Sequence, residues 1–188
     1  RETLGKKAKE NGADPEKIRI IPHGIEMSMF SLPPKYDIPR HFEIDPDLKI
    51  ISFVGRLTRE NYLDDMLEIA RRLGNLRKDF IFVVVGGGKE EGRIKEEVAA
   101  DPLLKDCMHL VGFQPRDVCL DLRRASNVSL CLMAGFSLIE ACAAARPVVS
   151  YDVEWHSELV KNGETGFLVK EHDIDAVVEA LDWSLSHP

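Results

Sequence analysis

Short apolar runs rich in Val and Ile alternate along the chain with longer stretches of helical period. This is the pattern of an α/β protein built on a parallel sheet with helices on both faces. Strands are predicted at Ile18–Ile21, Ile50–Val54, Phe80–Val85, Met108–Val111, Val128–Leu132, Pro147–Ser150 and Gly166–Val169. Helices are predicted between them at Leu63–Leu73, Glu90–Ala99, Arg116–Arg123, Leu138–Ala144, His156–Val160 and Ile174–Leu185, with a polar helix from Glu2 to Asn11. The run Phe80-Ile81-Phe82-Val83-Val84-Val85 has no polar face, which implies burial on both sides. The segment from Ser31 to Asp47 carries Pro33, Pro34, Pro39 and Pro46 and shows neither period. It reads as an ordered surface connection inside a single domain spanning residues 1–188.

In open sheets of this kind ligands bind beyond the carboxyl ends of the strands. The loops after Ile21, Val54, Val85, Val111, Leu132 and Ser150 are therefore where chemistry is expected.

Gly86-Gly87-Gly88 follows a strand and precedes a helix, but Glu91 stands where a dinucleotide fingerprint needs its third glycine. Arg93 and Ile94 replace the Lys and the Ser or Thr of a phosphate-binding P-loop. The triplet then has two readings, a tight strand-to-helix turn or close approach of backbone to a ligand. The histidines lack metal-ligand spacing and no G-x-S-x-G elbow occurs, so neither a metal site nor acyl transfer is expected.

A formal net charge of −7 gives no electrostatic reward for a nucleic-acid backbone. A small anion remains possible, because a few Arg side chains and helix N-termini hold phosphate within an acidic protein. Cys107, Cys119, Cys131 and Cys142 sit singly in apolar surroundings without a C-x-x-C pair, as expected of reduced, buried thiols in a cytosolic protein. No apolar run approaches the ~20 residues of a membrane span. The chain starts at Arg1 inside a helical stretch, and residues upstream of it are expected to have been cut away.

Two places offer anion chemistry. Strand Ile50–Val54 runs into Gly55-Arg56-Leu57, which sets a cation at a strand end; a surface salt bridge is the plain alternative for Arg56. Strand Val128–Leu132 leads through Met133-Ala134-Gly135-Phe136-Ser137 to a helix beginning near Leu138, where backbone N–H groups converge on a position suited to a diphosphate. Gly135 permits close approach, and Ser137 serves either as a cap or as a phosphate donor. Glu140 either completes an S-x-x-E capping box with Ser137 or accepts hydrogen bonds from ribose hydroxyls.

The segments Ile21-Pro22-His23-Gly24-Ile25-Glu26, Phe53-Val54-Gly55-Arg56-Leu57, Val84-Val85-Gly86-Gly87-Gly88 and Gly135-Phe136-Ser137-Leu138-Ile139-Glu140-Ala141 occur in that order. Ala145-Arg146-Pro147-Val148-Val149 and Asn162-Gly163-Glu164-Thr165-Gly166-Phe167-Leu168-Val169 follow. From Asp14 to Leu185 this ordered set resembles the family 4 (group 1) retaining glycosyltransferases. The resemblance implies a Rossmann-like domain, the C-terminal half of a GT-B fold, that binds a nucleoside-diphosphate sugar donor. An N-terminal domain would hold the acceptor, whether glycan, lipid or small molecule. The resemblance also implies catalytic roles for Arg56, on the donor diphosphate, and for Glu140, on the ribose. Gly24, Gly55, Arg59, Gly86, Gly87, Phe113, Gly135, Phe136, Ser137 and Leu138 complete the implied donor site, with Val111-Gly112-Phe113-Gln114 beside the base. It implies no cofactor and no metal, a cytoplasmic location, and a peripheral place at the inner membrane face for the full-length protein.

Three positions depart from the family pattern: Leu132 or Met133 for its first Glu, Asn61-Tyr62 for its Lys-Gly, and His23 for its Asn. Arg59 stands close enough to supply a second cation. Trp155, after the Pro147–Ser150 strand, either stacks on a sugar or packs at a helix start. A nucleotide-sugar 2-epimerase and a non-catalytic binding module share the same donor site and stay open as alternatives.

Overall fold

The computed structural model describes residues 2–21, 23–133 and 135–187; Arg1, Pro22, Ala134 and Pro188 lie outside the described residues. The motif members Pro22 and Ala134 are therefore not placed.

The strands are β1 (Lys49–Val54), β2 (Phe80–Val85), β3 (Met108–Gly112), β4 (Val128–Leu130), β5 (Val148–Tyr151) and β6 (Gly166–Val169). The helices are α1 (Glu2–Glu10), α2 (Ser28–Ser31), α3 (Ile38–His41), α4 (Leu63–Leu76), α5 (Glu91–Ala100), α6 (Pro102–Cys107), α7 (Arg116–Ala125), α8 (Phe136–Ala143) and α9 (Ile174–Ser186). All pairings are parallel and the strand order is β3-β2-β1-β4-β5-β6, the doubly wound Rossmann-like arrangement. After β3 the chain crosses to the far side of β1 to form β4, so the switch point lies between β1 and β4.

One face of the sheet is covered by α4, α5, α6 and α9 around Ile51, Phe53, Phe82 and Val149. The other carries α3 and α7 around Ile50, Val83 and Val85, with α8 on Cys131 and Val148. On that second face Ser52 and Ser129 are fully buried and satisfy each other at 2.9 Å across the β1–β4 register.

Three sequence expectations give way. Ile18–Ile21 forms no strand: Ile20 and Ile21 are exposed, and Ile20 lies over Gly5 of α1, so this short run packs locally instead of joining the sheet. The Ser31–Asp47 connection is not all surface, because Ile38, Phe42 and Ile44 are buried against β1, β2 and α7. Within it α3 is started by the Asp37 carboxylate, which accepts from Arg40 N–H at 3.3 Å, and Pro39 is tolerated in the first turn. The same device, Asp101 before Pro102, starts α6, which the periodicity did not reveal. The expected helix at His156–Val160 is a single 3-10 turn, His156–Glu158.

Candidate functional site

The loops at the switch point are tied together by the backbone. Gly55 N–H donates to Val85 O (3.0 Å), Gly86 N–H to Gly112 O (2.8 Å) and Leu57 N–H to Gly87 O (3.0 Å), carrying the parallel ladder past the strand ends. Gly86 sits at φ +141°, and a Cβ there would lie 1.8 Å from Gly55 O; one on Gly88 would lie 2.4 Å from Leu57 O. These two glycines are required where backbone meets backbone, which is the tight-turn reading. Gly87 differs, since its Cβ would meet only the end of the Glu91 side chain, at 3.1 Å.

A cavity of about 280 Å³ opens between these loops and α8, with Gly55, Arg56, Gly86, Gly87, Phe113, Ser137 and Glu140 in its lining. Phe113 is 84% exposed, an aromatic face presented to solvent at the rim. Arg56 is exposed, and among the described residues its guanidinium has no ion-pair partner, so the surface salt-bridge alternative is not realised. Its main chain is fixed from behind, because Asn61 Nδ2 donates to Arg56 O at 2.6 Å.

Arg56 also lines an adjoining groove with Arg59, Glu60, Lys89 and Glu90. The Glu60 carboxyl is held below its ordinary value, first by hydrogen bonds from its own backbone and the Thr58 hydroxyl, then by the charges of Arg56 and Lys89. Arg59 is partly committed, 3.5 Å from Glu90. Lys89, directly after the glycine triplet, is a third cation of this groove that motif reading passes over. Tyr62 takes the left-handed conformation (φ 55°) that a glycine adopts freely, with its ring against Tyr151 and His172.

At α8 the capping box does not form. The helix begins at Phe136, with Gly135 at the N-cap and no side-chain capping bond. Ser137 lies inside the first turn; its hydroxyl donates to Val54 O at the end of β1 and accepts from Arg123 Nη2, both at 2.5 Å. Glu140 faces the cavity, 12% exposed, with Oε1 accepting from Arg116 Nε at 3.2 Å and Oε2 lying 3.9 Å from Arg123 Nε. Leu138 does not join the site: it is fully buried in the core and its N–H donates to Gly135 O at 3.3 Å. Phe136 is partly exposed and meets the His23 ring edge-on, 6.4 Å between centroids, which brings the His23–Gly24 loop to the N-terminus of α8. Gly24 itself is exposed in open space.

Leu132, at the family's first Glu position, is fully buried in the core and presents nothing to a ligand. Trp155 is partly buried and packs against the cluster of Cys131, Leu138, Ala141, Val148 and Val160, the packing alternative. Among the described residues no group of three or more His, Cys, Asp or Glu is arranged to hold a metal ion, and no helix is long and apolar enough to cross a membrane. The four thiols are free, and burial pushes those of Cys107 and Cys131 up to about 11.

The sequence model of the family described as "Glycosyl transferases group 1" matches residues 35–188. The amylovoran biosynthesis glycosyltransferase AmsK of Erwinia amylovora is 30% identical over 180 residues, covering 90% of this chain and 42% of that protein. The UDP-Gal:alpha-D-GlcNAc-diphosphoundecaprenol alpha-1,3-galactosyltransferase of Escherichia coli is 29% identical over 181 residues, covering 92% of this chain and 46% of its own length. A glycosyltransferase from Rickettsia africae has the same fold, with a TM-score of 0.82 at 21% identity, covering 98% of this chain and 52% of that one. The chain thus spans less than half the length of the two relatives.

Proposed function

Because this chain belongs to the group 1 glycosyl transferases, we propose that it is the donor-binding domain of a retaining glycosyltransferase, holding a nucleoside-diphosphate sugar in the cavity between β1, β2 and α8. The observation that carries this reading is the convergence of a free Arg56, the N-terminus of α8 and the inward Glu140 on one cavity at the sheet's switch point. The diphosphate lies against Arg56 and the first-turn N–H groups of α8, whose positive dipole end favours an anion. Glu140 accepts the ribose hydroxyls, and Phe113 flanks the base.

In the transfer step the bond from the sugar's anomeric carbon to the phosphate oxygen breaks, one to the acceptor oxygen forms, and the acceptor hydroxyl's proton passes to the departing diphosphate. Negative charge grows on the departing nucleoside diphosphate, and Arg56 with the α8 N-terminus stabilises it. No cofactor or metal ion has a part in this scheme. The acceptor is held by a second lobe; the relatives' roughly double length supports that division. The free thiols and the lipid-linked acceptor named for the E. coli relative fit a cytoplasmic enzyme working at the inner membrane face. Both relatives are named as transferases, and neither as a 2-epimerase.

The test is a titration of the chain with UDP-, GDP- and ADP-glucose, followed by a transfer assay on the chain and on the full-length gene product. Thermal stabilisation by one nucleotide class, with acceptor-dependent transfer by the full-length protein, is expected. Donor hydrolysed or epimerised without acceptor would refute transfer.

A further inference from the structure

Arg123, in the last turn of α7, is completely buried and stands directly beneath the proposed donor site. Its Nη2 donates to Ser137 Oγ at 2.5 Å and its Nε lies 3.9 Å from Glu140 Oε2. Among the described residues Glu140 is the acid within ion-pair distance, while Nε and Nη1 have no hydrogen-bond partner. The nearby Cys131 thiol is kept neutral by burial, so it supplies no counter-charge.

A buried guanidinium with two unspent donors is costly, and a buried ion pair as a whole adds little or nothing over well-packed apolar side chains. Stability alone therefore does not account for an Arg here. What it does locally is specific. Its fork touches the two polar side chains that α8 contributes to the cavity, and Ser137 passes the link on to Val54 O at the end of β1. Arg116, the other partner of Glu140, is 53% exposed and competes with water, so the fixed member of the clamp is Arg123.

We propose that Arg123 is a positioning residue for nucleotide binding, holding the Glu140 carboxylate and the Ser137 hydroxyl at the cavity floor. This rests on the donor-site reading above. When ribose hydroxyls take the outer face of Glu140, the carboxylate is released from Arg116. An approach of about 1 Å then brings Oε2 within charge-assisted hydrogen-bond range of Nε and satisfies one unspent donor. The bound state is thereby favoured by a group that never touches the nucleotide.

The experiment measures Kd for UDP, GDP and ADP, together with Tm, on the 188-residue chain as wild type, Arg123→Met, Arg123→Lys, Glu140→Gln and Arg123→Met with Glu140→Gln. For the nucleotide that binds, Arg123→Met is expected to fold and to weaken affinity about ten- to a hundred-fold. Adding Glu140→Gln should cost little more, because the two residues act as one unit. Arg123→Lys keeps the charge but lacks the fork and should fall between wild type and Arg123→Met. If Arg123→Met does not fold, Arg123→Lys decides alone: weakened affinity supports the role and wild-type affinity overturns it. A folded Arg123→Met with wild-type affinity, or losses that add fully in the double variant, would also overturn it. Failure of the wild-type chain to bind all three nucleotides would instead bring down the donor-site reading together with this one.

Discussion

A Cβ on Gly86 would stand 1.8 Å from the carbonyl oxygen of Gly55, because the turns after β1 and β2 cross in backbone contact. With Gly86 also at φ +141°, Gly86→Ala is expected to destabilise the chain by about 3 kcal/mol or more. Gly92 is a control within the same stretch of chain: it lies inside α5 with open space around it, and Gly92→Ala should stabilise by about 0.5–1 kcal/mol. Denaturant unfolding of the two variants checks the pair, and equal effects would contradict the crossing.

Asp79 accepts from Arg77 at 2.6 and 2.8 Å and lies 2.9 Å from Lys49. The Arg77 hydrogen bonds, supported by Lys49 and opposed by partial burial, hold its carboxyl well below the usual carboxylate range. A depressed folded value means that the stability it confers is fully present above the unfolded value of about 3.9 and is lost as pH falls through the folded one. The Asp79 side chain is 47% exposed, so screening limits the contribution to about 1 kcal/mol or less. Asp79→Asn should lower Tm at neutral pH, and the gap to wild type should narrow on acidification; a gap that stays constant would contradict this.

Glu140→Gln removes the charge that Arg116 and Arg123 hold while keeping the side chain's size. Nucleoside diphosphate affinity should fall by about 1.5–3 kcal/mol, the range for a hydrogen bond to a charged group. Affinity for inorganic pyrophosphate should change little, since that ligand has no ribose. Calorimetry with both ligands is the check, and equal losses would place Glu140 on the phosphates instead.

Much of this arrangement is legible in the sequence because it is local. Phe80–Val85 is an unbroken apolar run and becomes β2 with its predicted limits. The loops bearing Gly55-Arg56, Gly86-Gly87 and Phe113 follow strands that periodicity identifies, so topology alone sends them to one edge. What stays hidden depends on tertiary contacts. The spacing of Ser137 and Glu140 suits a capping box, but Gly135 begins the helix and Val54 and Arg123 take the Ser137 hydroxyl. Arg123 reads as an ordinary polar residue at a helix end, and only the fold shows it enclosed beneath the cavity. Ile18–Ile21 has strand composition but reaches no edge of the sheet.

Donor binding at this site depends first on Arg56 meeting the diphosphate. Its most direct measurement is the affinity of the wild-type chain and of Arg56→Ala for UDP, GDP and ADP, with Tm recorded for each. At a hundred times its Kd the preferred nucleotide should stabilise the wild-type chain by about 2.7 kcal/mol. Arg56→Ala should melt at the wild-type temperature without ligand and bind that nucleotide about 1.5–3 kcal/mol more weakly. Equal affinity in the two proteins, or no binding of any of the three nucleotides by the wild-type chain, would contradict it.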